Sequence, residues 1–254
     1  MKNMLRCDSW AESPERFGRG RADMLAVVSE RGQGGGMAGR RRRPGSPREL
    51  QLPSGRHGLP RSFVVDNQRE RIVTAMVATI ATYGYGGMSV QRIAGRAGVS
   101  RRTFYEQFAG REDLYLQTYD AAANCLLARA GAAWEDASGG AARLRLCLQA
   151  TLESIAAAPQ LARICIVDVL SVGPPALEHR ERHMRGFAAL LEKGAREHGG
   201  EPSPLATDGL AAAIHDVIYK RVAQGQVEEL PDLLDDLHSF CLMLLRHSPA
   251  PAPR

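Results

Sequence analysis

Two serines bracket a glycine-bearing turn in the stretch SVQRIAGRAGVSRRTFYEQFAGRED, residues 89–113, and that arrangement leaves the chain little choice of local structure. Ser89 suits a helix N-cap, because its hydroxyl can accept a backbone N–H that the first turn leaves without a partner. Val90, Ile93 and Ala94 then supply the apolar side of a helix of about two turns. Gly98 stands where the chain must adopt a left-handed conformation to end that helix, which glycine does at no steric cost. Ser100 caps a second helix opening RRTFYEQF. Two helices across a turn of about three or four residues make a helix-turn-helix.

On the second helix Phe104 and Phe108 share one face, while Arg102, Thr103 and Glu106 point the other way and Arg101 and Tyr105 flank them. The phenylalanines are expected to bury, and Ala94 and Ala97 to be small because the two helices cross there. In such motifs the second helix enters the DNA major groove by its N-terminal residues, here Arg101, Arg102 and Thr103. An arginine pairs bidentately with guanine and a threonine methyl contacts thymine. Tyr105, Ser89 and the helix start near Arg111 suit phosphates, which fix register without reading sequence. A buried helical hairpin with solvated arginines would explain the phenylalanines. It would not explain the caps, the glycine turn, the small crossing residues and the adjacent cations together.

Charge is divided along the chain in the same sense. Of the 254 residues, 1–60 carry a net +6, 61–111 a net +5 and 112–254 a net −6. A cationic front and an anionic rear point to a polyanion partner for the front only. Nucleic acid leads, with an acidic protein or membrane surface as the alternative.

Residues 1–60 hold 10 Gly and 5 Pro, in runs such as GQGGGMAGRRRRPGSP. Too little apolar surface is present to offset the ordering entropy, so a disordered basic extension is expected. Arg40 to Arg43 read as a solvated tail or as an arm that follows phosphates. A natural start at Met24 or Met37 is a third reading of this segment. From Asp66 the texture changes. Ile72, Val73, Met76, Val77 and Ile80 recur at helical spacing up to a stop at Gly84. Further helical patterns are expected at about 112–134, 141–157, 159–171, 175–198, 205–224 and 231–246, each bounded by Gly or Pro clusters. No period-2 strand pattern and no internal repeat is present, so the fold class is all-α. The expected domains are 1–60, 61–111 and 112–254.

The segment ending in YGYGGMSV and continuing QRIAGRAGVSRRTFYEQFAGREDL resembles the N-terminal domain of the TetR family of transcriptional regulators, over about residues 66–116. The resemblance implies a three-helix DNA-binding domain, a helical ligand-binding and dimerisation domain of about six helices, a homodimer on a palindromic operator, and a small-molecule effector that releases the DNA. By position it implies that Ser89 caps the second helix beside the backbone, that Arg101 and Thr103 reach bases, that Tyr105 meets phosphate and that Arg111 opens the fourth helix. Arg102 departs from the pattern, which usually has a small residue there, so the operator sequence does not carry over. The DNA-binding candidates are Ser89, Ser100, Arg101, Arg102, Thr103, Tyr105 and Arg111.

In the rear half, Ile214, Val217, Ile218 and Val222, with Leu233, Leu234, Leu237, Phe240, Cys241, Leu244 and Leu245, give two helices more apolar surface than one face uses. By resemblance these pair with their copies in a dimer. Trp134, Leu148, Leu152, Ile166, Met184 and Phe187 supply bulk near any ligand cavity, though most suit ordinary core and no ligand residue is assigned. His179 and His183 stand at a spacing that can grip a metal, but the H-E-x-x-H pattern is absent and arginines crowd the segment. A solvated, charge-paired helix face and no metal site is the expectation. The 5 cysteines are scattered without a C-x-x-C pair, so neither disulfides nor zinc are indicated. No nucleophile elbow, phosphate loop or dinucleotide fingerprint occurs, and an all-α enzyme ranks below both binding readings. No cofactor is expected. With no run near the roughly 18 apolar residues of a span and no secretory signal, the expectation is a cytoplasmic, dimeric, non-enzymatic DNA-binding regulator acting as a repressor.

Overall fold

The computed structural model describes residues 61–246, and the expectations for residues 1–60 fall outside them. The described residues contain nine α-helices, two 3-10 segments and no strand. They form two compact units, the second beginning at Tyr119.

The first unit holds α1 (Arg61–Tyr83), α2 (Val90–Ala97), α3 (Arg101–Tyr105) and the start of α4 (Arg111–Glu135). α1 is already helical at Arg61, ahead of the expected start at Asp66, since no breaker lies between the two. It ends where Gly84 takes a φ of +67° and donates its N–H to the Ile80 carbonyl at 2.7 Å. Ile72, Ala75, Met76 and Ile80 are buried on its inner face, along with Ile93, Ala94 and Ala97 of α2 and Phe104 of α3. Burial at this density is the main favourable term in holding such a small unit together.

Two expected boundaries move for physical reasons. α3 stops at Tyr105 instead of reaching Phe108. The chain tightens there, with the Gln107 N–H donating to the Phe104 carbonyl at 3.0 Å, so Phe108 still turns inward without lying in regular helix. In the rear half, a 3-10 segment at Val227–Leu233 accommodates Pro231, which has no N–H to give an α-helix interior. The last helix therefore begins only at Leu234.

The second unit contains the remainder of α4, then α5 (Gly140–Ala156), α6 (Pro159–Ile166), a 3-10 turn (Asp168–Ser171), α7 (Pro174–Glu197), α8 (Pro204–Ala223) and α9 (Leu234–Arg246). The single helix expected over 159–171 breaks at Val167, amid Ile164, Ile166 and Val169, whose branched side chains crowd a helical turn. One core joins Leu148 and Leu152 of α5, Leu191 of α7, Ile214 and Ile218 of α8 and Leu237 of α9. Small residues set the closest approaches. A Cβ on Gly194 would stand 2.9 Å from the Trp134 ring, and one on Gly140 would stand 2.8 Å from the His198 backbone nitrogen.

Candidate nucleic-acid interface

The first helix of the motif is built at both ends by the residues the sequence singles out. Ser89 adopts extended backbone (φ −138°, ψ 150°), and its hydroxyl accepts the Arg92 N–H at 3.2 Å. Gly98 is left-handed (φ 62°, ψ 38°), and the Val99 N–H returns to the Ala94 carbonyl at 3.0 Å. Ser100 then caps α3. Its Oγ accepts the Thr103 N–H at 2.9 Å and lies 2.8 Å from the Thr103 hydroxyl.

Phe104 and Phe108 are both buried, with their ring centroids 5.7 Å apart. Arg101 and Arg102 are exposed at the leading end of α3, and Tyr105 is 51% exposed with its ring edge-on to Phe104. Arg101 has no side-chain partner among the described residues, whereas Arg102 donates from Nε to Glu106 Oε1 at 3.0 Å. Thr103 differs from expectation. It is half-buried and its hydroxyl is engaged by Ser100, which leaves its methyl as the group free of a hydrogen bond. Arg111 opens α4, donates from a terminal nitrogen to the Met88 carbonyl at 2.7 Å and stacks 5.3 Å from the Tyr85 centroid. Ser89, Ser100, Arg101, Arg102, Tyr105 and Arg111 thus lie exposed on one unit, with Thr103 tucked behind its cap.

Several supporting residues escape a reading based on periodicity. Arg92 stacks 4.3 Å from the Tyr83 centroid and donates to the Gly87 carbonyl. Arg69 lies 4.4 Å over the Phe108 ring. Burial holds its guanidinium below the usual pKa, with Asp113 and Asp66 pulling the other way. Asp113 accepts the Ala109 N–H at 2.8 Å and, through its other oxygen, the Gln117 amide at 2.8 Å, so the entry to α4 is tied to the loop behind α3. Acidic residues in that first turn also oppose the positive end of the helix.

This is a capped helix-turn-helix with its aromatic side buried and its cationic side open. Residues 72–118 match the sequence profile described as bacterial regulatory proteins, tetR family. The first unit carries a TetR-family domain. The described residues have the fold of solved transcriptional regulators. FadR, the fatty acid degradation regulator of Bacillus halodurans, superposes with a TM-score of 0.63 at 21% identity, covering 71% of this chain and 97% of that one. FadR from Bacillus subtilis, solved with stearoyl-CoA, gives 0.60 at 19% identity over 68% and 96%. A TetR family transcription regulator from Marinobacter aquaeolei gives 0.53 at 21% identity over 69% and 97%. No curated protein matches the sequence.

Beyond the TetR-family domain, Leu148, Leu152 and Ile166 lie in the second unit's core with Met184 and Phe187 packed against it. Trp134 sits apart with Ala130 and Cys147. The histidines of α7 do not form the expected solvated face. His179 Nδ1 and His183 Nε2 both approach one carboxylate oxygen of Asp120, at 2.7 and 3.0 Å, because α4 presents an acceptor to that side of α7. Among the described residues no group of three His, Cys, Asp or Glu side chains is arranged to hold a metal ion. No single described helix is long and apolar enough to cross a membrane.

Proposed function

We propose that this TetR-like regulator binds a palindromic operator as a homodimer, acts in the cytoplasm as a repressor, and leaves the DNA when a small-molecule effector occupies its helical unit. It is a binding protein and not an enzyme. Arg101 reads a base edge, Arg102 adds a base or phosphate contact once Glu106 releases it, and the Thr103 methyl contacts a base. Ser89, Tyr105 and Arg111 position the backbone, and Ser100 holds the leading turn of α3 in shape.

The observation that carries this reading is the pair of exposed arginines at the start of α3, set over two buried phenylalanines. Nothing in the core explains cations there, and a duplex does. A homodimer is supported by large apolar side chains exposed on α9, where Met243 is 54% and Leu244 40% exposed. Two recognition helices about 34–36 Å apart meet successive turns of the major groove. An effector is supported by the stearoyl-CoA held by the similarly folded FadR of B. subtilis. Its action would be linkage, in which ligand and DNA weaken each other by the same factor.

Gel shift of the full chain against its own upstream DNA, with competitor duplex and at several salt concentrations, tests the reading. The expected result is a preferred fragment that survives competition while overall affinity falls with salt. Equal binding to all fragments, or a monomer by light scattering at micromolar concentration, would overturn it.

A further inference from the structure

Among the described residues, Arg71 is the only charged side chain that is buried, at 5% exposure. It stands on the inner face of α1, and no acid among the described residues pairs with it. Its guanidinium is spent on backbone instead, with Nε donating to the Ala97 carbonyl at 2.9 Å and a terminal nitrogen donating to the Gly98 carbonyl at 2.8 Å and again to Ala97. Burial holds it below the ordinary arginine pKa. A buried charge is costly unless hydrogen-bonded, and these bonds run to one place, the turn between α2 and α3.

That turn is where the backbone runs short of partners. The last carbonyls of a helix have no donors within it. At the end of α2 the Gly98 and Val99 N–H groups serve Gly95 and Ala94, and Arg71 serves the carbonyls of Ala97 and Gly98. Its positive charge also meets the negative end of the α2 dipole. Gly98 is left-handed, and three residues beyond it Arg101 begins α3. The direction in which α3 leaves is thus fixed from behind by a planar fork anchored in α1. An ammonium cannot reproduce a fork that binds two carbonyls in fixed geometry.

We propose that Arg71 is a positioning residue for operator recognition. It touches no DNA, and it sets the angle at which Arg101 and its neighbours on α3 meet the base edges. This inference rests on the DNA-binding reading above. Losing the fork costs sequence discrimination far more than affinity for duplex in general, because phosphate contacts tolerate small displacements and bidentate base contacts do not.

The test compares the full-length wild type with Arg71→Lys and Arg71→Met, on the preferred fragment and on a random duplex, across a salt series. In Arg71→Lys the preferred-to-random affinity ratio is expected to fall roughly tenfold or more, about the worth of one base contact. Random-duplex affinity and the salt slope are expected to stay near wild type, since the phosphates met are the same. Arg71→Met is expected to do the same or to lose folded structure by circular dichroism, and then Arg71→Lys alone decides. A folded Arg71→Lys that keeps the wild-type ratio, or loses both affinities equally, overturns the role. A wild type with no preferred duplex instead overturns the DNA-binding reading on which it rests.

Discussion

Ser100 and Thr103 close the first turn of α3 on each other, the serine oxygen accepting the threonine N–H at 2.9 Å while the two hydroxyls lie 2.8 Å apart. With only 5 residues in α3, well below the length at which helices persist unaided, this cap is a large share of what keeps the leading turn ordered. Ser100→Ala is expected to cost about 1 kcal/mol in urea denaturation, within the usual range of roughly 0.5–2 for a lost N-cap. It should also weaken the preferred duplex more than a random one. An unchanged midpoint together with an unchanged preference would contradict the assignment.

Arg101 and Arg111 are expected to separate. Arg101 has no side-chain partner among the described residues, so Arg101→Ala should relax preference at one base pair by roughly 1–3 kcal/mol. Arg111 is tied to the Met88 carbonyl and suits phosphate, so Arg111→Ala should weaken every duplex alike and lower the salt slope by about one. Dissociation constants on single-base operator variants check both, and equal weakening of all sequences by both substitutions would refute the division.

Two helical glycines are expected to respond with opposite sign. A Cβ on Gly95 meets nothing within 4 Å, so Gly95→Ala should stabilise by about 0.5–1 kcal/mol through helix propensity. At Gly194 the same Cβ stands 2.9 Å from the Trp134 ring, and Gly194→Ala should destabilise by roughly 1–3 kcal/mol through overpacking. Thermal melts of the two variants, read against wild type, decide the point.

His215 gives the second unit an acid-sensitive limb. Burial first, then the nearby Arg180, push its pKa down to about 4, with Asp216 opposing. Arg180 lies 3.2 Å from its Nδ1. The native state keeps this imidazole neutral, whereas an unfolded chain protonates it near the ordinary value of about 6.5. Its contribution is therefore complete above about pH 6.5 and is lost as pH falls toward 4, by roughly 3 kcal/mol in all. His215→Gln should flatten that limb in denaturant titrations at pH 7 and pH 4.5. Parallel loss of stability in both proteins would exclude the assignment.

What the sequence makes legible here is local. Ser89, Gly98 and Ser100 act within a turn of where they stand, and Phe104 and Phe108 follow from helical spacing, so the motif and the all-α class can be read residue by residue. Arg71 cannot, because periodicity assigns an arginine to the surface and its partners are carbonyls 26 and 27 positions away. The same limit hides the pairing of His179 and His183, whose shared acceptor lies 59 and 63 positions back. Thr103 was legible as a residue of the leading turn but not in its use of a hydroxyl, since a cap and a base contact call for the same residue type.

The stacking of Arg92 on Tyr83 and of Arg111 on Tyr85, each guanidinium also anchored to a carbonyl, bears on how fast and how firmly the proposed duplex partner would be gripped. Free arginines would have to give up many rotamers on contact, and that loss would weaken binding. Each of the two guanidiniums is already held by a ring and a carbonyl within the folded domain, so under the proposed reading a phosphate meets donors ordered before it arrives.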